Sequence, residues 1–100
     1  MAKKILVIDD EKSLLDLLKY NLEKEGYTVK TLLGGKDAHK VASDFRPDLI
    51  VLDIMMPDKD GVEVCRELRE DQSFFDTIIV FLTARSEEYS EVAGFDVGAD

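Results

Sequence analysis

The chain has no tryptophan, only two prolines and a single cysteine, Cys65, in 100 residues. One cysteine excludes an intrachain disulfide, so a reducing compartment is the simplest expectation. No apolar run approaches the roughly 20 residues that a membrane-spanning helix needs. The opening MAKKILVIDDEK combines too short an apolar stretch with acids that come too early for a signal peptide. Positive charge is also scarce: 13 Lys and Arg face 22 Asp and Glu, for a formal net charge of -9. That balance opposes non-specific attraction to nucleic acid or to an anionic membrane. The expectation is a cytoplasmic domain that contacts neither directly. Finally, no G-x-G-x-x-G follows the first apolar run, which speaks against a dinucleotide site. The loop at that point reads DDEKS, which repels a flavin phosphate unless a metal is present.

What is present is alternation. Four short aliphatic or β-branched runs, KILVID (4–9), YTVKTL (27–32), LIVLD (49–53) and TIIVFLT (77–83), are each followed by a helical pattern. This is the signature of successive βα units and a parallel sheet covered on both faces. The first, third and fourth runs are almost wholly apolar and read as buried, whereas the second alternates with Thr28 and Lys30 and reads as an edge. Leu14, Leu17, Leu18 and Leu22 share one helical face, as do Ala38, Val41, Ala42 and Phe45. Gly61, Val64, Cys65 and Leu68 repeat the spacing in a third helix. Tyr89, Val92 and Ala93 suggest a fourth with Ser86 as N-cap, and Gly26 and Gly98 stand where helix C-terminal caps are expected. The fold class expected is α/β, a parallel sheet with helices on both faces, and the length allows one domain, 1–100.

In such sheets ligands sit outside the carboxyl ends of the strands. The first strand ends in Asp9 and Asp10, the third in Asp53 and the fourth in Thr83, all on one rim. Singly, each has an ordinary reading: Asp10 caps the first helix, Asp53 ends a strand, Thr83 starts a turn. Together they form three acids and a hydroxyl in a small volume, a setting for a hard divalent cation and phosphate oxygens. The set suits phosphoryl transfer.

At ILVIDDE, DLIVLDIMMPDKDGVEVCRELR and IIVFLTA the sequence resembles the response-regulator receiver domains of two-component signalling, the CheY-like superfamily. The order, spacing and strand context agree over four of that family's five βα units, and the resemblance implies an α/β, flavodoxin-like doubly wound parallel sheet with strand order 2-1-3-4 in this chain. The resemblance implies that Asp53 is the phosphoacceptor, taking a phosphoryl group from a sensor histidine kinase or a small phosphodonor. It implies Mg²⁺ held by Asp10, Asp53 and the backbone carbonyl of Met55, with Asp9 helping through a water. Thr83 would be the switch residue, Ala84 would keep bulk from the site, and Met55 and Arg85 would match positions that tune the phosphate's lifetime. Such a domain is a regulatory phosphoacceptor that assists its own phosphorylation and dephosphorylation rather than an enzyme, and it acts on a C-terminal effector region or a downstream partner.

The fifth strand, with its Lys, and the fifth helix have no match. The chain stops at GAD where another strand is expected, so a fragment lacking the fifth βα unit is anticipated, with self-association through an exposed fourth strand. Neither Lys36 nor Lys59 takes the missing role. Two other functions compete: a receiver-like interaction module that is not phosphorylated, and a Mg²⁺-dependent phosphatase with an aspartyl nucleophile. The second would need a cap and a general acid close after Asp53, where the sequence has Ile54 and Met55 and no inserted cap. His39 lies off the apolar face of its helix and reads as solvated, Cys65 reads as core, and Pro57 and Gly61 read as a tight connection in which Gly supplies positive φ.

Overall fold

Side-chain alternation along the first strand sets the layers. In β1 (Lys4–Asp9), Ile5 and Val7 face one way and pack with Leu15 and Val29, while Leu6 and Ile8 face the other and pack with Ala42, Leu52 and Leu68. A strand buried on both faces has no room for polar alternation, hence the unbroken apolar run. The computed structural model describes residues 2–82. Within them, β1 is followed by α1 (Lys12–Lys24), β2 (Thr28–Leu33), α2 (Ala38–Phe45), β3 (Leu49–Leu52), α3 (Gly61–Arg69), a 3₁₀ turn (Gln72–Phe74) and β4 (Ile78–Phe81). The expected fourth helix, with Ser86 and Gly98, lies outside the described residues.

All strand pairs are parallel, in the order β2-β1-β3-β4. β1 pairs on one side from Lys4↔Thr28 to Asp9↔Leu33 and on the other from Ile5↔Leu49 to Ile8↔Leu52. This register brings the ends of β1 and β3 side by side. α1 covers one face of the sheet; α2 and α3 cover the other, where the larger core includes Phe74 and Ile79. β2 is an outer strand as its alternation indicates, and its boundaries lie one residue further on than the sequence suggests.

Three expectations about local structure are resolved differently from one another. The third helix buries Gly61, Val64, Cys65 and Leu68 as its spacing predicts, and Asp60 caps it by accepting from the Glu63 N–H at 2.9 Å. In α1 the buried residue is Leu15, while Leu17 is 56% exposed; leucines at 14, 15, 17 and 18 allow either face, and the position of the sheet selects one. Gly26, with φ 97°, ends α1: its N–H donates to Glu23 O and that of Tyr27 to Leu22 O, the paired bonds of a left-handed helix stop. Among the described residues, no helix is long and apolar enough to cross a membrane.

Candidate phosphoryl and metal site

Backbone hydrogen bonds place the site before any side chain does. The Asp53 N–H donates to Ile8 O at 2.9 Å, which continues the β1–β3 ladder and sets Asp53 beside Asp9. On the far side of Asp9, the Gly34 N–H donates to the Asp9 carbonyl at 2.8 Å, and beyond Asp53 the Leu82 N–H donates to Leu52 O at 2.8 Å. Asp53 then turns into the loop before α3, closed by the Gly61 N–H on Ile54 O at 2.7 Å.

That closure explains Gly61. A Cβ at this position would collide with the carbonyl oxygen of Asp53 and lie 2.9 Å from the Ile54 Cα. Among the described residues the glycines at positive φ are Gly26 and Gly34, so Gly61 serves close approach rather than a left-handed turn. Bare backbone at the start of α3 lets the acceptor loop fold back on itself.

Asp9, Asp10 and Asp53 each offer a carboxylate oxygen, and these atoms lie within 4.8 Å of one another. Asp9 and Asp53 are only 3% and 7% exposed, whereas Asp10 is open to solvent. Burial pushes the Asp53 carboxyl above the usual carboxylate range; the negative charges of Asp9 and Asp10 push the same way, and the Met55 backbone N–H partly offsets them. Asp9 is raised as well, first by burial, against the Glu11 N–H that donates to its Oδ1 at 2.9 Å. This last bond also corrects a local reading. Asp10 does not cap α1, whose N-cap position is Glu11, without a side-chain cap bond.

Three carboxylates crowded together, two of them desolvated, are unfavourable until a cation joins them. The donor set is all oxygen, with no sulfur or imidazole in the group, which fits a hard ion such as Mg²⁺ rather than zinc or copper. The rim is open at Asp10 and at Met55, both exposed, so phosphate oxygens and water have an approach.

Of the residues singled out from the sequence, Asp9, Asp10 and Asp53 are brought together, and Met55 follows in the same loop. Thr83, Ala84 and Arg85 lie outside the described residues. Lys59 is engaged elsewhere: its Nζ donates to Glu67 Oε1 at 2.6 Å, and this bond is the main reason its ammonium is held above the ordinary range. His39 is half-exposed, with its Nε2 2.9 Å from Asp71 Oδ2 and its ring edge-on to Phe74. Two contacts had no local signal in the sequence. One is this His39–Asp71 pair; the other is Asp58, which holds the backbone of the β2–α2 connection.

Comparison with known proteins gives a consistent result. The family model for the response regulator receiver domain matches residues 5–100. The chain is 52% identical over 100 residues to the alkaline phosphatase synthesis transcriptional regulatory protein PhoP of Bacillus subtilis, covering 100% of this chain and 41% of that protein. It therefore spans about two fifths of that relative's length. Among solved structures it is similar to chemotaxis protein CheY4 of Vibrio cholerae, with a TM-score of 0.92 at 30% identity over 99% of this chain and 82% of that one. It is similar also to response regulator TrrA of Thermotoga maritima in complex with Mg²⁺ and BeF, with a TM-score of 0.83 at 38% identity over 97% and 83%.

Proposed function

Because the chain belongs to the response-regulator receiver family of two-component signalling, we propose that Asp53 is its phosphoacceptor and that Asp10, Asp53 itself and the Met55 carbonyl hold Mg²⁺, with Asp9 helping through a water. The observation that carries this reading is the convergence of the three carboxylates at the ends of β1 and β3, with Asp53 buried and its neighbours of like charge. A bound Mg²⁺ would neutralise charge on the acids and on the phosphoryl oxygens during transfer.

The remaining work falls to the chain itself. The Ile8 carbonyl and the Gly61 contact hold the Asp53 backbone, so its carboxylate points from a fixed base. A carboxylate oxygen of Asp53 attacks phosphorus; the bond to the donor's imidazole nitrogen or acyl oxygen breaks, and the leaving atom keeps the electron pair. Asp9 and Asp10 orient the metal end of the site and keep other anions away in its absence.

The product carries more charge and more acceptor oxygens than the carboxylate it replaces. Thr83 supplies the hydroxyl that turns toward them, the differential contact that a two-state switch requires. Asp53 phosphorylation by a sensor histidine kinase in the cytoplasm then controls an effector region or partner protein. Control of transcription is the favoured output, since the relative at 52% identity is a transcriptional regulatory protein and the match covers 41% of its length. Residues 1–100 belong to a receiver domain without its fifth βα unit, which is regulatory and assists its own phosphorylation and dephosphorylation.

Intact-protein mass spectrometry after incubation with acetyl phosphate and Mg²⁺ tests the reading. One Mg²⁺-dependent phosphoryl adduct is expected on the native chain and none on Asp53→Ala. Labelling that survives in Asp53→Ala refutes the assignment.

A further inference from the structure

The loops on either side of the acidic rim are tied together by a carboxylate that the phosphoacceptor chemistry does not use. Asp58 Oδ1 accepts from the Gly35 N–H at 3.3 Å and from the Lys59 N–H at 2.8 Å, while its Oδ2 accepts from the Lys36 N–H at 3.1 Å. With Gly34 in the left-handed region at φ 86°, the next two amides converge on one anionic group.

The surrounding packing shows that the two connections are fitted to each other. A Cβ on Gly34 would lie 2.8 Å from Asp58 Oδ2, and one on Gly35 would lie 2.8 Å from the Lys59 carbonyl oxygen and 2.9 Å from Val64 Cγ2. The glycine pair thus lets the β2–α2 connection lie against the backbone of the β3–α3 connection. Gly34 in turn donates to the Asp9 carbonyl at 2.8 Å. A continuous chain of contacts runs from Asp9 through Gly34 and Asp58 to the loop that starts at Asp53.

Resting on the phosphoacceptor reading of this site, we propose that Asp58 is a positioning residue: its carboxylate ties the two connections together and so holds Asp53 and the Met55 carbonyl at metal-binding reach of Asp9 and Asp10. The physical need is clear from the charges. Three carboxylates repel, and the Asp53 loop would relax outward without an opposing tie. A loop ordered in advance loses less freedom when the ion binds, which tightens binding without adding a ligand.

The test compares the native chain with Asp58→Ala and Asp58→Asn in three measurements. Amide hydrogen exchange without metal should speed up at Lys36, which loses its acceptor, and also at Met55, which does not. Calorimetric titration with MgCl₂ should show binding weakened by about tenfold in Asp58→Ala, the lower end of the range for partners that orient metal ligands. Acetyl phosphate labelling at saturating Mg²⁺ should return to within about twofold of the native rate, an effect on affinity rather than on the transfer step. Asp58→Asn, which keeps one acceptor oxygen, should recover most of the binding. Mg²⁺ affinity in Asp58→Ala within about twofold of native overturns the proposal, as does an equal loss of labelling at every Mg²⁺ concentration. A native chain that binds Mg²⁺ without being labelled refutes the acceptor reading alone, with the titration still deciding Asp58. A native chain that binds no Mg²⁺ refutes both.

Discussion

Asp53, buried at the strand ends, and Asp71, a third exposed, are carboxylates of one small domain whose surroundings act on them in opposite directions. Asp71, beside the 3₁₀ turn, accepts from the Ser73 N–H at 2.9 Å and the Ser73 hydroxyl at 2.8 Å and meets His39 Nε2 at 2.9 Å. These donors, the Ser73 N–H first, lower its pKa to about 2. Asp53 has burial and two like charges against it, and its pKa is raised. The difference separates structural from functional acids. Around Asp71 the protein supplies the donors, so the acid supports the fold; at the strand ends it supplies too few, leaving room for a cation and a phosphoryl group.

The contrast depends first on Asp53 being held where it is, and Gly61 is the weakest point of that frame. Gly61→Ala is expected to cost about 2–3 kcal/mol, because the added methyl meets backbone rather than a movable side chain. Urea denaturation of the metal-free chain would show it as a lower midpoint at unchanged slope. A loss below about 0.5 kcal/mol would mean that the β3–α3 loop moves aside freely, and the raised pKa of Asp53 would lose its structural basis.

A smaller effect of opposite sign is expected from neutralising the acceptor. A carboxyl with a raised folded pKa binds its proton more tightly in the native than in the unfolded state. Its ionised form therefore weakens the fold as pH rises from 3.8 through the raised value, and the penalty persists at neutral pH. Asp53→Asn should remove it, stabilising the metal-free chain at pH 7 by on the order of 1 kcal/mol, the scale of a relieved like-charge contact. The variant should also lose most of the stabilisation that Mg²⁺ gives the native chain. An Asp53→Asn chain less stable than native without metal would place Asp53 with Asp71, as a supporting acid.

The two regions also differ in how far the sequence reveals them. The acids of the rim end apolar strands, so the pattern that marks β1 and β3 also marks Asp9, Asp10 and Asp53, and the parallel order brings them together. The buried face of α3 is legible for the same reason, since it follows from a local period, whereas the sheet order is legible through the family resemblance. Gly61 is legible as a required glycine, but its reason is contact with the Asp53 carbonyl, and nothing local distinguishes that from a need for positive φ. The choice of Leu15 over Leu17 depends on where the sheet lies. The His39–Asp71 and Asp58 contacts join residues 32 and 22–23 apart, where no periodicity points to the partner.

The smallest expected effect concerns that less legible region. A carboxylate with a depressed folded pKa contributes stability that is fully present above its unfolded value of 3.8 and is lost as pH falls toward about 2. Thermal unfolding of the native chain should therefore contain a decline across that window which Asp71→Asn removes, leaving a flatter acid limb that already lies below the native chain at neutral pH and meets it near pH 2. His39→Gln should remove only part of it, because the Ser73 N–H and hydroxyl remain on Asp71 and the Ser73 N–H is the largest influence. If His39→Gln flattened the acid limb as fully as Asp71→Asn, the pair with His39 rather than the Ser73 turn would govern this acid. The contrast with Asp53 would then rest on one charged partner instead of on several donors.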